Sequence, residues 1–175
     1  MKIPGMLFLS TQRICFGYAA VIALWCVASC GQKVAPRVQQ RQEFTVRSRS
    51  MEPSFLPGEV VEVEAITGIG DVKIGDVVVI QSPLGGEGVY LRRVAGIENQ
   101  VISGDGKVII IDNEKISLEQ LGFPCGSSFP KAVNAVTIPK DCVFTLGDNL
   151  ANSRDGREFG PIPFREIIGK VLTKK

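Results

Sequence analysis

An all-β body of mainly antiparallel strands, preceded by a membrane helix or signal segment, is the architecture this sequence predicts. Three observations carry that expectation. The 175 residues are rich in Val and Ile, and 19 Gly and 10 Pro break them into short apolar runs, the habit of sheets rather than helices. Segments of helical period are nearly missing after residue 30. The first thirty residues hold Lys2 and Arg13 and no acid, and they end in an uncharged run from Ile14 to Cys30.

That run covers 17 residues, at the short edge of the roughly 17 to 25 needed to span a bilayer. Two versions follow. In one the segment stays as an uncleaved anchor; in the other Val27-Ala28-Ser29-Cys30 reads as a bacterial lipobox, with Cys30 receiving the lipid after cleavage. Lys33, Arg37 and Arg41 follow the segment and outnumber the basic residues before it. An uncleaved anchor with its N-terminus inside would break the usual charge bias, which favours the lipoprotein version. Either way the chain is tethered to membrane lipid at the cell membrane, with its body outside the cytoplasm. Residues 31–43 are polar and Gln-rich and read as a linker, and 44–175 as a single domain.

After the linker the elements follow in order. Gly58 to Glu64 alternates apolar and polar, as a half-buried strand does. Ile74 to Ile80 is a turn feeding a strand apolar on both faces, hence interior. A glycine loop at Gly85 to Gly88 precedes a strand from Val89 to Ile97. Gln100 to Ile111 is a hairpin, because Asp105-Gly106 supplies the positive φ of a tight turn. Ser117 to Leu121 reads as a short helical turn and Gly122 to Pro130 as loop. Cys142 to Leu146 is a last interior strand, Gly147 to Gly160 is too polar and turn-rich for a strand, and Ile167 to Leu172 closes the chain.

Composition excludes several chemistries. The chain has no histidine, so a Ser-His-Asp triad is ruled out. Net charge is +2, and removing Lys2 and Arg13 leaves the remainder neutral, without the basic footprint of a nucleic-acid binder. The five cysteines, at 15, 26, 30, 125 and 142, match no metal-ligand spacing, and no cofactor is expected. Cys125 and Cys142 either pair in an oxidising compartment or remain as buried free thiols.

The chemistry therefore turns on Val46-Arg47-Ser48-Arg49-Ser50-Met51-Glu52-Pro53-Ser54. Two serines two apart on an extended segment point to one side, and a serine so placed is a candidate nucleophile. Its base must be a lysine, a carboxylate or something unusual.

Four segments resemble, in order, the sequence boxes of bacterial type I signal peptidases: Ser48 to Ser54; Ile74 to Val79; Tyr90-Leu91-Arg92-Arg93-Val94-Ala95-Gly96; and Gly147-Asp148-Asn149 through Asn152, Ser153, Asp155 and Arg157 to Gly160. The likeness runs from about Phe44 to Lys170. It implies coiled antiparallel sheets and a membrane-bound serine endopeptidase that removes signal peptides from exported proteins with a Ser-Lys dyad. By that resemblance Ser50 is the nucleophile, flanked on the substrate side by Met51 and Pro53. Ser48 helps hold the oxyanion together with the Ser50 amide, and Ser153 orients the base. Arg93, Asp148, Asn149, Asp155 and Arg157 brace the final loop, a task suited to ion pairs.

One position departs from the pattern. Where the family has its lysine base, this chain has Arg92. Burial can lower a lysine's pKa by up to about 3 to 5 and leave a neutral amine near neutral pH. Arginine, with a pKa above about 12.5, is neutral at pH 7 in about one molecule in 10⁵ or fewer. Three readings result: an active signal peptidase with an unconventional base; a pseudopeptidase that binds signal-peptide-like or pilin segments; or a related serine protease, such as a self-cleaving repressor or pilus-processing peptidase. The membrane segment argues against the repressor.

Overall fold

The computed structural model describes residues 41–83, 85, 88–129 and 132–174. The apolar run 14–30, Cys30 and most of the expected linker lie outside them. Eleven strands, one short α-helix and four 3-10 turns are described. They are β1 (Arg41–Thr45), β2 (Val60–Glu64), β3 (Val77–Gln81), β4 (Val89–Ile97), β5 (Val101–Asp105), β6 (Val108–Ile111), β7 (Glu114–Ser117), β8 (Val133–Thr137), β9 (Cys142–Leu146), α1 (Gly156–Phe159), β10 (Ile162–Pro163) and β11 (Ile167–Lys174). The all-β expectation holds, and every described strand pairing is antiparallel.

The strands form two sheets. The larger runs β1-β2-β11-β3-β4-β9-β10 and the smaller runs β7-β6-β5-β8. Alternation places Val61 and Val63 of β2 in the core and leaves Glu62 and Glu64 half-covered. β3 and β4 are interior, with Val77–Ile80 and Leu91–Gly96 all buried. Two consecutive arginines, Arg92 and Arg93, thus sit on opposite faces of a buried strand. Burying a charge this way is tolerable only where partners satisfy it, so these two side chains govern what surrounds them.

Three apolar clusters fill the interior. Met51, Val61, Val63, Val77, Val79 and Leu91 pack on one face of the large sheet, and Val78, Ile80, Val94, Val143 and Ile162 on the other. Ala95, Phe144 and Leu146 join Ile102, Ile109 and Phe129 into a third, reaching the small sheet. The β5–β6 hairpin turns at Gly106-Lys107, with Gly106 at φ 57°.

Some elements differ from expectation. β1 begins at Arg41 and pairs Arg41, Gln42 and Glu43 with Glu64, Val63 and Glu62, so the sheet takes in residues whose polar composition reads as linker. Edge strands β7 and β8 and the two-residue β10 carry no clean alternation. Their burial is partial, and nothing in the side chains marks them out. Both Cys125 and Cys142 are free; Cys125 is exposed, and partial burial pushes the Cys142 thiol above its usual pKa.

β11 threads between β2 and β3 because Gly169 lets it. A Cβ there would lie 2.5 Å from the Glu64 carbonyl oxygen and 2.7 Å from Val63 Cγ1. Gly169→Ala is expected to lose about 1–3 kcal/mol of stability through overpacking in chemical denaturation. Gly70→Ala, where a Cβ meets nothing within 4 Å, is expected to stay within about 0.5 kcal/mol. Equal losses for the two would remove the steric explanation.

Candidate active site

Three segments converge at the site: a 3-10 turn over Arg49–Met51, strand β4, and the loop from Gly147 to α1. The turn places Ser50. Ser48 precedes it with extended backbone, φ −124° and ψ 162°, and the chain then tightens, so the two serines do not lie on one extended segment. Their hydroxyls still meet, Oγ to Oγ at 2.9 Å. Met51 beneath is fully buried in the Val61–Val79 cluster, where it anchors the turn and has no surface to offer a ligand. Pro53 is exposed. Ser50 is only 5% exposed, while Ser48 faces solvent.

From β4, Arg92 reaches up to the turn. Its Nη1 donates to Ser50 Oγ at 2.8 Å and to its neighbour's carbonyl, Leu91 O. Nε and Nη2 both donate to the carbonyl of Arg154, at 3.1 and 2.6 Å, and the guanidinium lies 4.8 Å from the Tyr90 ring centre, a cation–π distance. Burial pushes the Arg92 pKa below its usual value; the Asp155 charge pulls it back up, and Arg157 adds to the depression.

On the opposite face Arg93 makes a bidentate pair with Asp148, at 2.8 and 2.7 Å, and donates to Gly75 O. The loop after β9 closes on Asp155. Its carboxylate accepts from Gly147 N at 3.0 Å, from Arg157 Nε and Nη2 at 2.8 Å each, and from the Ser153 hydroxyl. Asp155 also caps α1, accepting from Arg157 N, as helix N-caps prefer. Asn149 ties this loop to the Ser50 turn: its backbone N–H donates to Ser50 O at 3.0 Å and its Nδ2 to Arg49 O at 3.1 Å.

The structure thus brings Ser48, Ser50, Arg92, Ser153, Arg93, Asp148, Asn149, Asp155 and Arg157 into one connected region. Ser153 differs from its expected part. Its hydroxyl bonds Asp155 and Arg157 rather than Arg92, and the Arg154 carbonyl takes the place of an orienting group on Arg92. No side chain announces that contact, since every residue carries a carbonyl. Gly147, which opens the fourth box, has a steric part that the pattern alone does not state. A Cβ there would lie 2.4 Å from Ser153 Cβ and 2.6 Å from Ser50 O, so only glycine lets the loop and turn approach. A cavity of about 620 Å³ lies beyond the loop, lined by Val133, Val136, Phe144, Leu150 and Arg157 among others; Ser50 and Arg92 do not line it.

Chemically, the cluster offers two hydroxyls and a cation that donates on every side. Among the described residues, Ser50 Oγ has Ser48 and Arg92 as its hydrogen-bond partners, and neither is a lysine or a carboxylate.

This fold and this cluster define a β-sheet serine-site protein, and comparison with known proteins gives its kinship. The family described as signal peptidase, peptidase S26, matches residues 15–174, and the chain belongs to that family. It is 30% identical over 128 residues to the mitochondrial ATP-independent inner membrane protease subunit 1a of Arabidopsis thaliana, covering 70% of this chain and 65% of that protein. The chain thus spans slightly under two thirds of that relative's length. It is 27% identical over 158 residues to signal peptidase I of Bacillus caldolyticus, covering 84% and 85% of the two chains. A crystal structure of a signal peptidase I from Enterococcus faecalis V583 superposes with a TM-score of 0.48 at 21% identity, covering 58% of this chain and 97% of that one.

Because Arg93 and Asp148 are buried together, with side-chain exposures of 11% and 0%, removing one charge strands the other. Asp148→Asn is expected to cost about 3–5 kcal/mol in urea unfolding. Glu62→Gln, which breaks the surface pair with Arg41, is expected to cost less than about 1 kcal/mol. A mild Asp148→Asn would mean that the pair does not hold the loop.

Proposed function

We propose that this chain is a membrane-tethered serine endopeptidase of signal-peptidase type that acts on signal peptides of exported proteins, with Ser50 as nucleophile and hydrolysis slowed by Arg92. The observation that carries the reading is the 2.8 Å contact from Arg92 Nη1 to Ser50 Oγ. It lies where β4, the Ser50 turn and the Asp155 loop meet, and it puts a side chain of β4 in reach of the serine that needs a base. A neutral lysine amine there would accept the serine's proton; a guanidinium only donates. Ser48 Oγ, 2.9 Å from Ser50 Oγ, suits a donor to a developing oxyanion.

The same observation favours a second reading, in which the site binds signal-peptide-like segments and releases them uncut. An extended peptide would add to a strand edge, with backbone hydrogen bonds giving affinity. Both readings keep the body outside the cytoplasm, tethered by residues 14–30 as an uncleaved anchor or by lipid on Cys30. The family match begins at residue 15, inside the apolar run, which supports an anchor or signal segment there. Among the described residues no helix is long and apolar enough to cross a membrane.

The full-length chain in detergent, given a labelled preprotein, is expected to cleave slowly. Arg92→Lys is expected to raise the rate by about 10² or more, the usual worth of a general base, and adding Ser50→Ala to that variant to abolish it. Brisk cleavage by the unaltered chain, unchanged in Arg92→Ala, would refute this account of the site. Intact mass and lipid labelling of the membrane-extracted protein decide between the two tethers: lipid on Cys30 with residues 1–29 removed selects the lipoprotein version, and an unmodified chain still carrying Met1 to Ser29 refutes it in favour of the anchor.

A further inference from the structure

The charges around the site do not balance. Arg92, Arg93 and Arg157 share this region with two buried carboxylates, and each carboxylate is already taken. Asp148 is held at both oxygens by Arg93, and Asp155 by Arg157. Glu158, the next acid along, is paired with Arg154 at the surface. Among the described residues Arg92 enters no ion pair, although it is 3% exposed. Its bonded neighbours, Leu91 O, Arg154 O and Ser50 Oγ, are all neutral. A buried guanidinium whose nearest carboxylate, Asp155, is already held by Arg157 is costly, and an anion arriving beside it recovers part of that cost.

The way in is set by the serines. Ser48 is at the surface and its hydroxyl touches that of Ser50, which in turn touches Arg92. An anion that displaces the Ser48–Ser50 bond accepts a hydrogen bond from each hydroxyl, with Arg92 behind them. Two acceptor oxygens on one planar group match two adjacent donors. Beside them β4 has a free edge. β9 pairs with it only from Arg93 to Ile97, while Val89, Tyr90 and Leu91 pair with β3 on the other side alone. An extended peptide can lie along that edge.

We infer that this site takes the free α-carboxylate of a peptide, which ends at Ser48 and Ser50, with Arg92 supplying the charge. This rests on the peptide-binding reading above and adds that the preferred ligand is a chain end rather than an uncut strand. A cleaved peptide would then leave slowly.

The test uses the full-length chain in detergent and one fluorescent peptide ending in small residues, made as the free acid and as the C-terminal amide. The acid is expected to bind at least about tenfold more tightly by anisotropy. That preference is expected to vanish in Arg92→Gln and to shrink in Arg92→Lys, whose amine this buried position can hold neutral, with circular dichroism checking that each variant folds. Equal binding of acid and amide by the unaltered chain overturns the inference, and needs no variant to fold. Inorganic phosphate displacing the acid peptide as effectively as unlabelled peptide also overturns it, in favour of a plain anion site. Binding of neither form, together with no binding of uncut preprotein, refutes the peptide-binding reading instead.

Discussion

The carboxylate of Asp155 is the point on which the site loop closes. Fully buried as a side chain, it gathers the Gly147 amide, the Ser153 hydroxyl and the Arg157 side chain and amide, so both ends of the loop are fixed to one group. A loop held this way presents its backbone reproducibly. The Arg154 carbonyl then stands where Arg92 can use two N–H groups on it, and Asn149 stands where it can hold the Ser50 turn. The absence of a Cβ at Gly147 is the steric half of the same constraint, because loop and turn approach more closely there than any side chain allows.

Seen from β4, the arrangement divides labour between the faces of one strand. Arg93 faces a carboxylate and becomes a structural tie; Arg92 faces hydroxyl and carbonyl oxygens and remains an unbalanced charge. The difference comes from register alone, since adjacent residues of a strand point oppositely. What distinguishes the Arg92 face is therefore the lack of an acid bonded directly to the guanidinium rather than an added group. The protein tolerates this because Arg92 has four donor contacts to neutral oxygens, each stronger for being charge-assisted.

Much of this was legible in the sequence, for identifiable reasons. β2, β3, β4, β9 and the β5–β6 hairpin announce themselves because burial imposes period two or a continuous apolar run, and Gly106 marks the turn. β1, β7, β8 and β10 do not, because edge strands with half-exposed faces place few demands on side chains. In the site, Ser50, Arg92, Asp148 and Asp155 stand out as residue types that chemistry requires. The 3-10 turn under Ser50, the Arg154 carbonyl and the rerouting of Ser153 to Asp155 do not stand out, since backbone geometry and the choice among several acceptors are settled only by packing.

Arginine at position 92 also exposes what kind of environment the fold builds there. Burial disfavours a cation at this spot; Asp155 and Tyr90 oppose that push and Arg157 adds to it, and the net effect is downward. For a lysine, whose usual pKa is about 10.4, such an environment is what makes a neutral amine accessible near neutral pH. The guanidinium feels the same push but starts from above about 12.5, so the push strains the charge without removing it. A pocket shaped to take a proton from a cation thus holds one that will not give it up. The strain is relieved instead by hydrogen bonds, and the fork of Arg92 binds turn, strand and loop into one unit where a lysine's single ammonium would leave the Arg154 carbonyl with at most one donor. Arginine at this position therefore offers a brace where a lysine would offer a group that can take a proton, and the only partly compensated charge beside Ser50 is the physical consequence.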